Sequence, residues 1–267
     1  MNSAVIIFTK VPIPGLVKTR LTHNTCLTQL DSAKIAEAML KDTITLASKT
    51  NTDSIHLGYY PDEHVAKLHE IINYIRREGK LTKPLDFVLQ NGSNFDRRFG
   101  SVVQEAFRKD FEILVILGAD LPFLSPEIIN MALEYLTKHK DERPIILGPS
   151  IGGGIYLIGF TNNFNPSWFS DYQLFSSGLE LSKVANFCKE NNFLLNSLPP
   201  YGDVDIEEDL VTLISYINLL KNSEKYVGFH YPYFTAKIIE QLRLTIVEEK
   251  NQTRQRKISK KDDSSLL

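Results

Sequence analysis

Short apolar runs alternate with amphipathic helical segments along the first 220 residues of the chain, and this alternation limits the possible folds more than any other feature. The clearest run, residues 112–118, consists mainly of Ile, Leu and Val and ends at a glycine, as expected for a fully buried strand. Strands separated by helices usually pair in parallel, because each helix carries the chain back across one face of the sheet. The sequence therefore predicts an α/β fold with a mostly parallel central sheet and helices on both faces.

The domain organisation follows from length and from a change in composition. A chain of 267 residues can form one large α/β domain with an appendage, and we expect residues 1–220 to form that domain. Residues 221–247 form an aromatic-rich extension with a helix predicted over residues 235–247. Residues 248–267 are polar and basic, and we expect a disordered tail there.

Charge and cysteine content narrow the class of protein. The formal net charge of −2 gives no electrostatic reason to expect nucleic acid as a partner. Cys26 and Cys188 match no metal-ligand spacing and are typical of reduced thiols in the cytosol. The apolar run at residues 4–8 is too short for a signal peptide or a membrane span. We therefore expect a cytoplasmic protein with no membrane span.

A basic turn follows the first predicted strand. Residues 8–21 hold two prolines, a glycine and three cations. Ligands of α/β folds bind beyond the carboxyl ends of the strands, and Lys and Arg there supply charge and hydrogen bonds to phosphate oxygens. The turn is therefore either a solvent-facing basic turn or a diphosphate-binding loop. The candidate diphosphate-binding residues are Lys10, Pro14, Gly15, Lys18 and Arg20.

Three aspartates are candidate ligands for Mg²⁺ or Mn²⁺. Asp120 follows the strongest predicted strand, and its alternative role is to cap or turn the chain before the helix that begins near Pro126. Asp203 and Asp205 alternate along an extended segment and so project in opposite directions, which leaves only one of them to share a site with Asp120. We take all three as candidate metal ligands, with Asp120 and Asp205 as the candidate catalytic residues.

Two further loops are candidate contacts for a substrate. The run Gly152-Gly153-Gly154 allows a ligand to approach the backbone closely, or forms a hairpin turn, and we place Gly153, Gly154 and Tyr156 beside the donor or acceptor. Gln90 and Gly92 follow the third predicted strand and either contact a base or sugar or form a turn.

Four of these stretches together resemble a family of small nucleotide-diphospho-sugar transferases with the glycosyltransferase-A, Rossmann-like fold. Members of this family are associated with radical-SAM or arsenosugar genes. The family is related to the phospholactate and molybdenum-cofactor guanylyltransferases. The matching stretches are residues 10–21, the Gly118–Asp120–Pro122 element, residues 148–159 and residues 203–210. The chain departs from the family pattern at Gly152 and Ser93, where relatives usually carry aspartate.

The resemblance implies a nucleotide over the carboxyl edge of the sheet, Mg²⁺ or Mn²⁺ held by the aspartates, and an acceptor on the second half of the sheet. Our first hypothesis is a glycosyltransferase that moves a sugar from a nucleoside-diphosphate sugar to a small acceptor. The alternatives are a nucleotidyltransferase that joins a nucleoside monophosphate to a phosphorylated small molecule, and a non-catalytic nucleotide-binding homologue, which Gly152 favours. The expected partners are the nucleotide or nucleotide-sugar, the small acceptor and, if the C-terminal extension packs between copies, a homodimer.

Overall fold

The computed structural model describes residues 2–176, 178–225, 228–250 and 254–261. Within these residues, seven strands form one sheet in the order β3-β2-β1-β4-β6-β5-β7. All neighbours pair in parallel except β6, which is antiparallel to both β4 and β5. The predicted α/β fold with a mostly parallel sheet is confirmed. The strands are β1 (Ser3–Lys10), β2 (Ser54–Tyr60), β3 (Leu85–Leu89), β4 (Ile113–Gly118), β5 (Pro144–Pro149), β6 (Ile155–Thr161) and β7 (Leu194–Ser197).

Helices cover both faces of the sheet. Side chains alternate along β1, so that Val5 and Ile7 enter one apolar core whereas Ala4 and Ile6 enter the other. The first core includes residues of α1, α2, α4, α7 and α8, and the second includes residues of α3, α5 and α6. These helices are α1 (Gln29–Ala47), α2 (Val65–Arg77), α3 (Phe95–Arg108), α4 (Pro126–Lys138), α5 (Trp168–Asp171), α6 (Glu180–Glu190), α7 (Glu207–Asn222) and α8 (Tyr233–Gln241). No helix of the described residues is long and apolar enough to cross a membrane.

The C-terminal region differs from the prediction. The helix predicted to reach residue 247 ends at Gln241, because Arg243 adopts a left-handed conformation with φ 54°. The β-branched residues that follow form β8 (Leu244–Glu248), which pairs antiparallel with β9 (Arg256–Lys260). The predicted disorder of the tail is therefore wrong for residues 256–260, which form a paired strand. Residues 251–253 and 262–267 of the predicted tail lie outside the described residues.

Helix α8 attaches the C-terminal extension to the first helix of the same chain. The fully buried Asp42 of α1 accepts hydrogen bonds from the backbone N–H of Phe234 (3.0 Å) and from the backbone N–H and hydroxyl of Thr235 (2.7 Å each). Burial raises the pKa of Asp42 to about 7, although these hydrogen bonds act against the increase. The carboxylate thus anchors the N-terminus of α8.

Candidate functional site

The carboxyl ends of the parallel strands meet at one edge of the sheet, and a cavity of about 560 Å³ opens there. Its walls come from the turn after β1, from the ends of β2 and β3, from the start of α3, from the segment after β4 and from the segment before α7. Such an edge is where ligands of open α/β sheets bind. The polar and aromatic residues that line this first cavity are Phe8, Thr9, Lys10, Lys18, Thr19, Arg20, Tyr60, Gln90, Phe95, Arg98, Asp120 and Asp205.

Lys18 joins two aspartates across the centre of this edge. It adopts a left-handed conformation (φ 48°) just before the short 3₁₀ helix Thr19–Thr22. Its Nζ lies 2.8 Å from Oδ1 of Asp120 and 2.7 Å from Oδ1 of Asp205, and its side chain is only 8% exposed. We call these three residues the Lys18 cluster. The cluster brings together residues that are far apart in the sequence.

The electrostatics of the Lys18 cluster favour the charged forms of Lys18 and Asp205. Burial alone would lower the pKa of Lys18, but the carboxylates of Asp120 and Asp205 outweigh burial and raise it. Burial likewise acts to raise the pKa of Asp205, yet Lys18 and then Arg20 hold it below its usual value. Arg20 is 69% exposed, and its Nη1 lies 3.5 Å from Oδ2 of Asp205. Two basic and two acidic side chains therefore meet at this point.

The three predicted metal ligands do not converge. Within the described residues, no group of three or more His, Cys, Asp or Glu side chains is arranged to hold a metal ion. Asp203 points away from Lys18 and accepts a hydrogen bond from the hydroxyl of Ser150. Asp120 and Asp205 both approach one nitrogen, so this pair already surrounds a cation. Mg²⁺ commonly binds through one or two carboxylates together with substrate phosphates and water, and the pair fits that donor set.

Other residues of the first cavity supply a fixed amide and a cation. Nε2 of Gln90 donates to the carbonyls of Thr9 (3.0 Å) and Gly58 (2.8 Å), which fixes the amide and leaves Oε1 as its remaining polar atom. The guanidinium of Arg98 lies 5.2 Å from the ring centre of Tyr60. The sequence analysis did not select Arg98 or Tyr60 as site residues, although Tyr60 ends β2 and Arg98 lies in the first turn of α3, just after the Gln90 loop.

A second cavity of about 1050 Å³ adjoins the first and shares Arg20, Phe95 and Asp205 with it. Its walls come from the turn between β5 and β6, from the segment before α7 and from α7 itself. The charged groups of the two cavities differ. The first has the cations Lys10, Lys18, Arg20 and Arg98 against Asp120 and Asp205, whereas the second has Arg20 and Arg254 against Glu180, Asp203, Asp205 and Asp209.

The glycine turn between β5 and β6 lies at the second cavity. Gly154 lines it, and Gly153 adopts a positive φ of 89° in the same turn. Gly152 also lines it, and a Cβ at that position would meet nothing closer than the Ser150 hydroxyl at 4.0 Å. Tyr156 lines neither cavity, contrary to expectation: it is 4% exposed and donates its hydroxyl to the carbonyl of Pro199 at 3.0 Å. Its position on β6 directs the ring into the core.

The remaining predicted residues shape the loops rather than the first cavity. Gly15 turns the chain with φ 82°, and Pro14 lines a different cavity behind this turn. Gly92 has φ 141° before α3, where a Cβ would come within 2.6 Å of the Cβ of Arg97. Both glycines therefore serve turns with a positive φ that favours glycine, and at Gly92 a side chain would also collide with the start of α3.

This sheet order and edge cleft define the fold class of the nucleotide-diphospho-sugar transferases. The chain is similar to the crystal structure of a protein from Desulfovibrio desulfuricans G20 assigned as a nucleotide-diphospho-sugar transferase (24% identity, 90% of this chain and 95% of that chain covered, TM-score 0.69). It is also similar to a cytidylyltransferase from Leptospira borgpetersenii serovar Hardjo-bovis (14% identity, 90% and 94% covered, TM-score 0.52). A third similar structure is 4-diphosphocytidyl-2C-methyl-D-erythritol synthase from Anaerococcus prevotii DSM 20548 (14% identity, 82% and 96% covered, TM-score 0.50). These likenesses show the fold.

The chain belongs to the family DUF2064, described as an uncharacterized protein conserved in bacteria, which matches residues 25–175. No curated protein matches the sequence. The narrower association with radical-SAM or arsenosugar genes stays a prediction.

Proposed function

We propose that the protein is a glycosyltransferase that moves a sugar from a nucleoside-diphosphate sugar to a small acceptor without a phosphate group. The observation that carries this proposal is the pair of adjoining cavities with opposite charge at the carboxyl edge of the sheet. The first, at about 560 Å³, falls within the usual range for small-molecule sites. Arg20 and Asp205 line both cavities and would flank the bond between the sugar and the diphosphate, which breaks as the sugar is transferred to the acceptor.

In this proposal the first cavity binds the donor. Its four cations outnumber its two carboxylates, which suits the charge of a diphosphate. An ammonium group has three N–H donors, and Lys18 uses two of them on Asp120 and Asp205. The third is available to a phosphate oxygen, so the cluster orients Lys18 before the donor binds. Arg20 and Lys10 would add donors that stabilise the charge that develops on the leaving diphosphate.

Mg²⁺ or Mn²⁺ is part of the same proposal. Asp120 and Asp205 are the residues that would hold the ion, because both carboxylates lie together at Lys18 and Lys18 contacts only the Oδ1 atom of each. A divalent ion bound there would neutralise charge on the leaving diphosphate. Asp203 lines the second cavity and not the first, and it bonds to Ser150, so we assign it to the wall of the second cavity.

The charge of the second cavity favours glycosyl transfer over its alternative. Four acidic side chains and two arginines line it, which suits a neutral or cationic acceptor better than a phosphorylated one. Nucleotidyl transfer to a phosphorylated molecule would require cations around the acceptor phosphate. The likeness to the fold of a cytidylyltransferase keeps nucleotidyl transfer as the second candidate. That reaction releases pyrophosphate, whereas glycosyl transfer releases a nucleoside diphosphate.

The first experiment is a thermal-shift panel of UDP-, GDP-, ADP- and dTDP-sugars and free nucleoside triphosphates, with Mn²⁺ or with EDTA. A ligand at 100 times its Kd adds about 2.7 kcal/mol to the free energy of unfolding, which is readily measured. We expect one nucleotide-sugar to stabilise the protein in Mn²⁺ and Asp120→Asn to abolish that shift. The matched control, Asp86→Asn, removes an aspartate that pairs with Lys109 outside both cavities. This variant should keep the thermal shift.

The second experiment identifies the products formed from the stabilising nucleotide. Release of a nucleoside diphosphate from the nucleotide-sugar, with acceptors that lack phosphate, supports the proposal. Release of pyrophosphate from a nucleoside triphosphate would support nucleotidyl transfer instead. Binding without any turnover would indicate the non-catalytic homologue, and no thermal shift with any nucleotide would contradict all three readings.

A further inference from the structure

A third cavity is lined by residues 12–14 of the basic turn and by no member of the Lys18 cluster. It has a volume of about 580 Å³ and lies among α1, α2, α8 and residues 12–14. It shares no lining residue with the first or second cavity. The proposed transfer reaction uses none of the residues that line it.

The charged groups of this third cavity are almost all positive. Lys34, Lys41, Lys67 and Lys237 line it, and Glu37 is the only acidic side chain among the lining residues. Glu37 is already shared, since Oε1 lies 2.6 Å from Nζ of Lys41 and Oε2 lies 3.0 Å from Nζ of Lys67. Lys34 and Lys237 are exposed and have no acidic partner within the described residues. The cavity therefore retains an excess of positive charge.

The rest of the cavity wall is apolar and partly aromatic. The rings of Tyr74 and Phe234 meet edge to face with centres 5.9 Å apart, and Ile238 lies on the same helix as Phe234. Nζ of Lys41 lies 4.5 Å from the ring centre of Tyr74, so this cation already rests on an aromatic face. A ligand with both an apolar body and an anionic group matches this wall better than inorganic phosphate, which would leave the apolar part uncovered.

We propose that this third cavity is a binding site for a small organic anion with an aromatic body. The lysines Lys34 and Lys237 hold the anionic group, and the apolar wall around Tyr74 and Phe234 holds the ring. The site is independent of the proposed donor site, because the two cavities have no residue in common. Its ligand contacts the turn at residues 12–14, just ahead of Lys18 in the chain.

The test uses the fluorescent anion 1-anilinonaphthalene-8-sulfonate (ANS) and its uncharged relative N-phenyl-1-naphthylamine on the full chain. The test variant is the pair Lys34→Glu and Lys237→Glu, which reverses two exposed lysines of the site. The control pair, Lys138→Glu and Lys189→Glu, makes the same change of net charge at exposed positions on α4 and α6. All four positions are exposed, so both pairs should fold, which urea denaturation checks.

We expect ANS to bind the wild-type protein at one site and more tightly than the uncharged probe. The test pair should raise the Kd of ANS at least tenfold and keep the Kd of the uncharged probe within threefold of the wild-type value. The control pair should keep both Kd values within threefold of wild type. An equal loss of ANS binding in both pairs would overturn the proposal, because general charge would explain it. The proposal also fails if ANS and the uncharged probe bind wild type equally, or if the test pair leaves ANS binding unchanged.

Discussion

Substitution of Asp42 by asparagine tests how the C-terminal extension is held to the domain. Asp42 is buried, and its pKa rises from a usual value of 3.8 to about 7 on folding. A carboxyl group with a raised pKa binds its proton more tightly in the folded state. Its contribution to stability is therefore greatest below pH 4 and is lost as the pH rises toward 7. Asparagine carries no charge at any of these pH values.

The size of the effect follows from the two pKa values. One pKa unit corresponds to about 1.4 kcal/mol. The raised pKa of Asp42 therefore lowers the free energy of unfolding by roughly 4 kcal/mol between low and high pH, and roughly 2–3 kcal/mol of this loss falls between pH 5 and pH 8. Asparagine has one acceptor oxygen and keeps at most two of the three hydrogen bonds to Phe234 and Thr235, at a pH-independent cost of about 1–3 kcal/mol for the buried donor left without its acceptor. The stability of Asp42→Asn relative to wild type should therefore rise by roughly 2–3 kcal/mol from pH 5 to pH 8.

Urea denaturation of both proteins at pH 5 and pH 8 measures this difference. The pKa values of His56 and His230 fall to about 4, mainly through burial, so both residues contribute a pH dependence of opposite sign to each protein. That contribution cancels in the comparison. Asp110→Asn, at an exposed turn with φ 60°, controls for the loss of a carboxylate elsewhere. A difference between Asp42→Asn and wild type that does not change with pH would refute the reasoning.

Two further predictions concern the Lys18 cluster and the strand below the glycine turn. Lys18→Met should lower the free energy of unfolding by about 1–2 kcal/mol at pH 7, less than for a fully buried pair because the two carboxylates are 38% and 43% exposed. The pKa of Asp205 is lowered on folding, so this difference should shrink as the pH falls below 3.8, and urea curves at pH 7 and pH 3 that gave the same difference would contradict it. Gly148→Ala should destabilise by about 1–3 kcal/mol, because its Cβ would lie 2.3 Å from the ring of Tyr156. Gly152→Ala, with its nearest contact at 4.0 Å, should stay within about 0.5 kcal/mol, and thermal melts that rank the two variants the other way would exclude this packing.

The sequence predicts best where one physical signal dominates. The apolar run before Asp120 leaves little choice but a buried strand, and β4 lies at the centre of the observed sheet between β1 and β6. The alternation of an extended segment predicted that Asp203 and Asp205 point apart, and they bond to Ser150 and Lys18 respectively. Local pattern and strand order were enough to place these carboxylates near one edge.

What the sequence did not predict depends on tertiary contacts. Strand β7 is short and largely exposed, so it carries no alternation of apolar and polar residues that would reveal it. Strand β9 is stabilised by contacts with other elements, among them the hydrogen bond from Ile258 N–H to Glu207 (2.8 Å) and the ion pair of Lys260 with Asp31 (2.8 Å). No local signal shows that Lys18 bridges two aspartates, because the pairing exists only once the strands are ordered.

The spread of the Lys18 cluster along the chain has a consequence for synthesis on the ribosome. Lys18 leaves the ribosome early and Asp120 follows, but Asp205 appears only after β7 has been made. Until then Lys18 lacks its second carboxylate, and the first cavity lacks the wall that it shares with the second. If the proposed donor site is correct, a nucleotide cannot stabilise the unfinished chain through the complete site. Until the segment that carries Asp205 has been made, the nascent protein depends on the apolar core of the strands and helices that are already complete.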